Sequence, residues 1–164
     1  MQSKVRFSTF SIVTTIILTC FIVGVCVFAA VEYDLSVFFF MLTITFLVLI
    51  SALSFAPFKL IADPKTITVK SILWNHHIPV SEIKDVVLFR PKMTLFRNGT
   101  RRSYASGGYF GYWGQFNDRN IGRFTGYYGD SSQCFLLNMR NGKKYVLGCE
   151  QPLKMAEYIN KYVK

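Results

Sequence analysis

The run FSTFSIVTTIILTCFIVGVCVFAAV (residues 7–31), the triplet Glu32-Tyr33-Asp34 and the run LSVFFFMLTITFLVLISALSFAPF (residues 35–58) decide how this chain is organised. Neither run contains a charged side chain. A helix rises 1.5 Å per residue, so about 20 apolar residues cross a hydrocarbon layer roughly 30 Å thick. Both runs reach that length. The hydroxyls of Thr14, Thr15, Thr19, Thr43, Thr45, Ser51 and Ser54 can return hydrogen bonds to their own helices. The three-residue break admits only a tight hairpin, and Ala56-Pro57 closes the second helix because a residue before proline disfavours the α region. The expected helices span about residues 8–31 and 35–56.

A signal peptide is the competing reading of the first run. Its apolar stretch exceeds the usual h-region of about 7–15 residues, and a second spanning run follows at once. A lipoprotein signal at Cys26 fits poorly, since bulky Val25 precedes it. Retained helices are expected. Lys4 and Arg6 flank the first, Lys59, Lys65 and Lys70 follow the second, and the turn carries Glu32 and Asp34. The positive-inside rule then places both termini in the cytoplasm and the acidic turn outside. Neither span holds an ionisable residue, which transport pathways usually display. The pair reads as an anchor integral to the lipid bilayer.

Across the 164 residues, 51% are hydrophobic and 17% charged, against about 25% charged in soluble domains. With a mean hydropathy of +0.30, the chain is not intrinsically disordered. Two of the 19 basic residues (Lys4 and Arg6) and two of the nine acidic ones (Glu32 and Asp34) precede residue 59, so the remainder alone carries the net charge of +10. The division is a helical hairpin over residues 1–58 and one domain over residues 59–164, a typical single-domain size.

That domain reads as short strands followed by one helix. Lys65 to Lys70 alternates, with Ile67 and Val69 on one face. Ile72–Trp74 and Ile78–Val80 read as strands on either side of a reversal at Asn75-His76-His77. Ile83 to Phe89 is a further apolar segment. Cys134–Met139 and Lys144–Cys149 form the clearest hairpin, joined through Asn141-Gly142, a pair suited to a type I′ turn with positive φ at both positions. Pro152 opens a helix in which Leu153, Ala156, Ile159 and Val163 fall at helical spacing. Tyr104 to Asp130 interleaves glycine with aromatics. A low-complexity RNA-binding tract would have that composition, but bent strands with glycines at bulges explain it better, and no nucleic acid partner is expected.

Taken in order, Ile78-Pro79-Val80-Ser81-Glu82-Ile83, the Gly107–Gly126 segment with Gly111-Tyr112-Trp113-Gly114 and Gly122-Arg123-Phe124, and the final Tyr145-Val146-Leu147-Gly148 before Glu150-Gln151-Pro152 resemble the bacterial pleckstrin-homology-like (PH-like) domains. The resemblance covers roughly residues 59–164. It implies an α+β membrane protein of a bacterial inner or cell membrane: a two-helix transmembrane hairpin, then a strongly bent seven-stranded sheet or β-barrel capped by a C-terminal helix. Such folds are binding scaffolds with varied ligands. The phosphoinositide-type pattern, a Lys followed by a basic-x-Arg pair, is absent from the first strands.

Catalytic chemistry is not legible. Cys20, Cys26, Cys134 and Cys149 show no CxxC spacing of the kind zinc sites use, and reduced buried thiols are expected. His76 and His77 would point to opposite faces of a strand, and an exposed pair in a turn is expected. Tyr104 stands where the first glycine of a G-x-S-x-G elbow belongs, and no GxxxxGK loop occurs. The expectations are no enzyme, no metal and no cofactor. The first functional reading is a membrane-anchored interaction or scaffold module with a protein partner or self-association. The second is contact with anionic lipid headgroups, or with a partner, through Arg97, Arg101 and Arg102. The third is an accessory subunit of a membrane transporter or enzyme complex.

Overall fold

The computed structural model describes residues 1–32, 34–92 and 99–163. Helix α1 (Thr9–Glu32) and helix α2 (Leu35–Phe55) form the hairpin. Both are long and apolar enough to cross a membrane. Cys26 Sγ and Thr45 Oγ1 share a 3.1 Å hydrogen bond between them. Ala56 is extended (ψ 123°) while its N–H still donates to the Ala52 carbonyl, so α2 stops where proline requires it.

The domain holds two sheets. The first comprises β1 (Gln2–Lys4), β2 (Lys59–Ala62), β3 (Thr66–Lys70) and β4 (Asn75–Pro79), antiparallel in that order. The second comprises β5 (Ile83–Leu88), β6 (Arg101–Gly108), β7 (Gly111–Asp118), β8 (Gly122–Tyr128), β9 (Cys134–Met139) and β10 (Lys144–Gly148), ordered β5-β9-β10-β8-β7-β6. Strand β10 enters between β9 and β8 and runs parallel to β8. Helix α3 (Pro152–Asn160) packs on β5, β9 and β2. The fold is the PH-like one, a strand-rich domain capped by a C-terminal helix.

Of the expected seven-stranded bent sheet or barrel, the sheet alternative holds, while the strand number and barrel closure do not. Ten strands lie among the described residues, and the barrel is not closed: each sheet keeps two edge strands. One layer of core lies between the sheets and α3, where Leu60, Ile67, Val69, Ile78, Phe135, Leu137, Leu147, Met155 and Ile159 are buried. The opposite face of the six-stranded sheet carries a second, aromatic cluster of Tyr112, Phe116, Phe124 and Tyr128. Gly114 sits at φ +112°, and a Cβ there would overlap the Tyr104 carbonyl. Only glycine lets β6 and β7 cross so closely beside the register shift at Arg102–Tyr104.

Three local readings change. Ile72-Leu73-Trp74 is not a strand but the turn between β3 and β4, closed by Ser71 N–H donating to the Trp74 carbonyl (3.2 Å). His76 and His77 lie on β4 rather than in a turn, paired with Val69 and Thr68. Between β9 and β10 the Met139 N–H donates to the Lys143 carbonyl (2.9 Å) and encloses Arg140-Asn141-Gly142, of which only Gly142 has positive φ (+80°). Asn141 Oδ1 accepts the Lys143 N–H (3.0 Å), giving a three-residue turn with a left-handed glycine in place of type I′. In α3 the buried residues are Met155, Ala156 and Ile159, while Leu153 in the first turn is exposed.

Candidate functional site at the two ends of the domain

Strand register gives the domain two distinct ends. β6 runs from Arg101 to the Tyr109-Phe110 turn, β7 returns from Gly111, and β8 ends at Tyr128 beside it. At this end the domain meets α1. The Ser8 N–H donates to the Gly129 carbonyl (3.0 Å), and a Cβ at Gly129 would overlap the Arg6 carbonyl oxygen. Ser11 is 1% exposed. Its hydroxyl donates to the Gly108 carbonyl (2.7 Å) and accepts from the Gly111 N–H (2.9 Å). Thr15 Oγ1 donates to the Ser11 carbonyl (2.8 Å) and accepts the Phe110 N–H (2.9 Å). Thr15 lies six residues into α1, about 9 Å along its axis, so the β6–β7 turn rides beside the helix rather than above it. Phe55 of α2 stacks on Trp113 of β7 with ring centroids 5.4 Å apart.

Lys4 is more than a basic flank of the first helix. Gln2, Ser3 and Lys4 pair with Ile61, Leu60 and Lys59, so the chain ahead of α1 belongs to the four-stranded sheet. Thr15 returns a hydrogen bond to its own helix as expected and bonds the β6–β7 turn besides, while Ser11, with no role expected from the sequence, bonds the same turn. The legible signal was spacing: Ser8, Ser11 and Thr15 share one face at the domain end of an otherwise apolar helix.

At the far end, Arg101 pairs with Asn117 and Asn117 with Arg123. Residues opposed in antiparallel pairs share a face, so the two arginines project from one side. Arg123 also borders an open groove of about 550 Å³ with Gln115, Thr125, Lys143, Lys144 and Tyr145. Lys144 Nζ is held by the Ile121 carbonyl (2.6 Å). Arg102 is separated from this group: it pairs with Phe116 on the other face and leans over Gly107. Arg97 lies outside the described residues.

The titratable groups in the interior are tuned against reactivity. Burial pushes the Cys134 thiol well up and the Cys149 thiol up, keeping both from the thiolate form a nucleophile needs. Burial, with His77 nearby, lowers His76, whose ring lies 5.4 Å from Tyr127 and 5.7 Å from Tyr145. His77 Nδ1 instead bonds Thr68 Oγ1 (3.0 Å) on the outer face. Among the described residues, no three His, Cys, Asp or Glu side chains converge.

A bent, two-sheet domain capped by a C-terminal helix belongs to the class of PH-like domains. Residues 58–162 match the bacterial PH domain family, and the chain belongs to that family. No curated protein and no solved structure matches the chain.

Proposed function

We propose that the protein is a non-catalytic, membrane-anchored interaction module, with residues 9–55 as the bilayer anchor and residues 59–164, completed by β1, as a PH-like domain on the cytoplasmic side. PH-like domains typically bind lipids or proteins. The observation that carries the reading is the opposition of the two ends. Two apolar helices, exposed along most of their length, are bonded to one end of the domain, and the groove with Arg123, Lys143 and Lys144 opens at the other. That geometry favours an acidic protein segment as the groove's partner over the anchoring bilayer, with Arg101 as a further contact. Arg97 and Arg102 stay in the proposal as flanking cations.

The test is topology labelling of the full chain in intact cells. An impermeant thiol reagent is expected to modify Asp34→Cys and to reach Asn141→Cys only after lysis, in a background with Cys20, Cys26, Cys134 and Cys149 replaced. Labelling of position 141 in intact cells would reverse the orientation. Release of the chain from membranes by alkaline carbonate would remove the anchor.

A further inference from the structure

We propose that the edge of the four-stranded sheet nearest the helices is a second membrane contact: the Ile72-Leu73-Trp74 turn enters the bilayer interface, and Lys4, Lys59 and Lys70 meet anionic headgroups. The inference rests on the reading of α1 and α2 as membrane spans. Strand direction supplies the first argument. β2 begins at Lys59, four residues after the end of α2, and runs away from the helices. β3 runs back, and Lys70 finishes opposite Lys59, with the Phe58 N–H donating to the Lys70 carbonyl (2.9 Å). The β3–β4 turn therefore projects toward the level at which α2 leaves the bilayer.

Its composition is the second argument. Ile72, Leu73 and Trp74 are 58%, 57% and 69% exposed. Turn geometry selects Gly, Asn, Asp, Ser or Pro, so three consecutive bulky apolar residues are there for what they touch. Tryptophan is the side chain most suited to the headgroup level. The helices also present exposed aromatics near the domain, Phe10 and Phe55 being 62% and 46% exposed. The Tyr109-Phe110 turn of the other sheet lies at the same end.

Charge is the third. Lys4 pairs with Lys59 and Lys59 with Lys70, so three lysines stand side by side on one face of three neighbouring strands. Like charges directly opposed across strands destabilise a sheet. An anionic surface offsets that repulsion by attracting each lysine close to it. Apolar tip and lysine row together fit a leaflet containing anionic lipid, and the contact would set the tilt of the domain on its anchor.

The experiment uses the full chain with Trp113→Phe, leaving Trp74 as the single tryptophan, in vesicles of phosphatidylcholine with and without phosphatidylglycerol. Trp74 emission is expected to shift to the blue, to be quenched by lipid brominated near the top of the acyl chain, and to resist aqueous iodide. These effects should be strongest with phosphatidylglycerol and should weaken at high salt or in a Lys4→Gln, Lys59→Gln, Lys70→Gln variant. Trp74 open to iodide in both compositions would overturn the proposal. Shielding from both iodide and bromolipid would also overturn it, in favour of a protein or a second copy on this edge. Alkaline carbonate extraction of the same vesicles separates the two readings: a chain that stays in the membrane with Trp74 exposed keeps its anchor and loses only this contact.

Discussion

Replacing Ser11 by alanine removes the hydroxyl that closes the β6–β7 turn onto α1. Alanine suits a helix and adds no bulk, so the change reduces to hydrogen bonds. The Gly111 N–H loses its 2.9 Å acceptor. The Gly108 carbonyl loses its 2.7 Å donor but keeps Thr15 Oγ1 at 3.3 Å. The cost is therefore dominated by one buried donor left unmatched, about 1–3 kcal/mol. At 1.4 kcal/mol per tenfold, the turn should open about 5 to 150 times more often. Amide hydrogen exchange of the full chain in lipid nanodiscs measures this directly at Gly111, with Leu147 in β10 as an internal reference. Acceleration at Gly111 with Leu147 unchanged is the expected result. Unaltered exchange at Gly111 would refute the claim that Ser11 holds the turn. Equal acceleration at both would mean that the junction is part of the global fold rather than a local latch.

Other parts of the structure give sharper or blunter perturbations. His76 is held below its usual value of 6.5 by burial, so its neutral form is favoured on folding; the stability this contributes is present above about pH 6.5 and lost as pH falls toward the lowered value. Thermal melts of the full chain in detergent from pH 7.5 to 5 should show that decline, and His76→Phe should flatten it. Gly129→Ala places a Cβ against the Arg6 carbonyl, where backbone must yield; a loss of about 1–3 kcal/mol in melting stability is expected, with faster exchange at Ser8. Ile159 is 1% exposed in α3, and Ile159→Asp should cost at least about 3 kcal/mol; an unchanged melt would mean that α3 is not docked.

The parts of the fold legible in sequence are those whose residues carry a period of their own. Ile67 and Val69 alternate into the core as expected, and Cys134–Met139 with Lys144–Gly148 pair across the Asn141-Gly142 turn. β1 carries no such signal. Gln2-Ser3-Lys4 is polar throughout and becomes a strand because the edge of β2 offers it a ladder. Ile72-Leu73-Trp74 misled for the opposite reason. Apolar composition suggested a strand, but the pairing of Val69 with His76 and Lys70 with Asn75 leaves those three residues as the turn. His76 then occupies an inward position between two tyrosines, which no local pattern announces. Of the expected arginines, sequence proximity suggested one cluster, whereas strand alternation divides Arg101 from Arg102. The partner of Arg101 across the sheet, Arg123, is 22 residues away in the chain and could be found only through the register.

This division changes what the net charge of +10 means. Under the proposed topology, an excess of lysine and arginine beside the apolar helices needs no further function, and Lys4, Lys59 and Lys70 would fit that description by position alone. Their alignment on three adjacent strands is the part topology does not require. Arg101, Arg123, Lys143 and Lys144 are different. The field of an anionic leaflet decays over a Debye length of about 8 Å, and the eight residues of β6 carry the chain through about 23 Å of strand between Arg101 and the turn beside α1. On the proposed topology, cations at that end would gain little from the bilayer. Arg101 and Arg123 share one face of the sheet, and an acidic segment arriving from the aqueous side would offset their mutual repulsion. The two basic populations therefore separate by salt and by lipid. Anionic lipid should alter the environment of Trp74 without protecting Arg123 or Lys143, and an acidic segment bound in the groove should do the reverse.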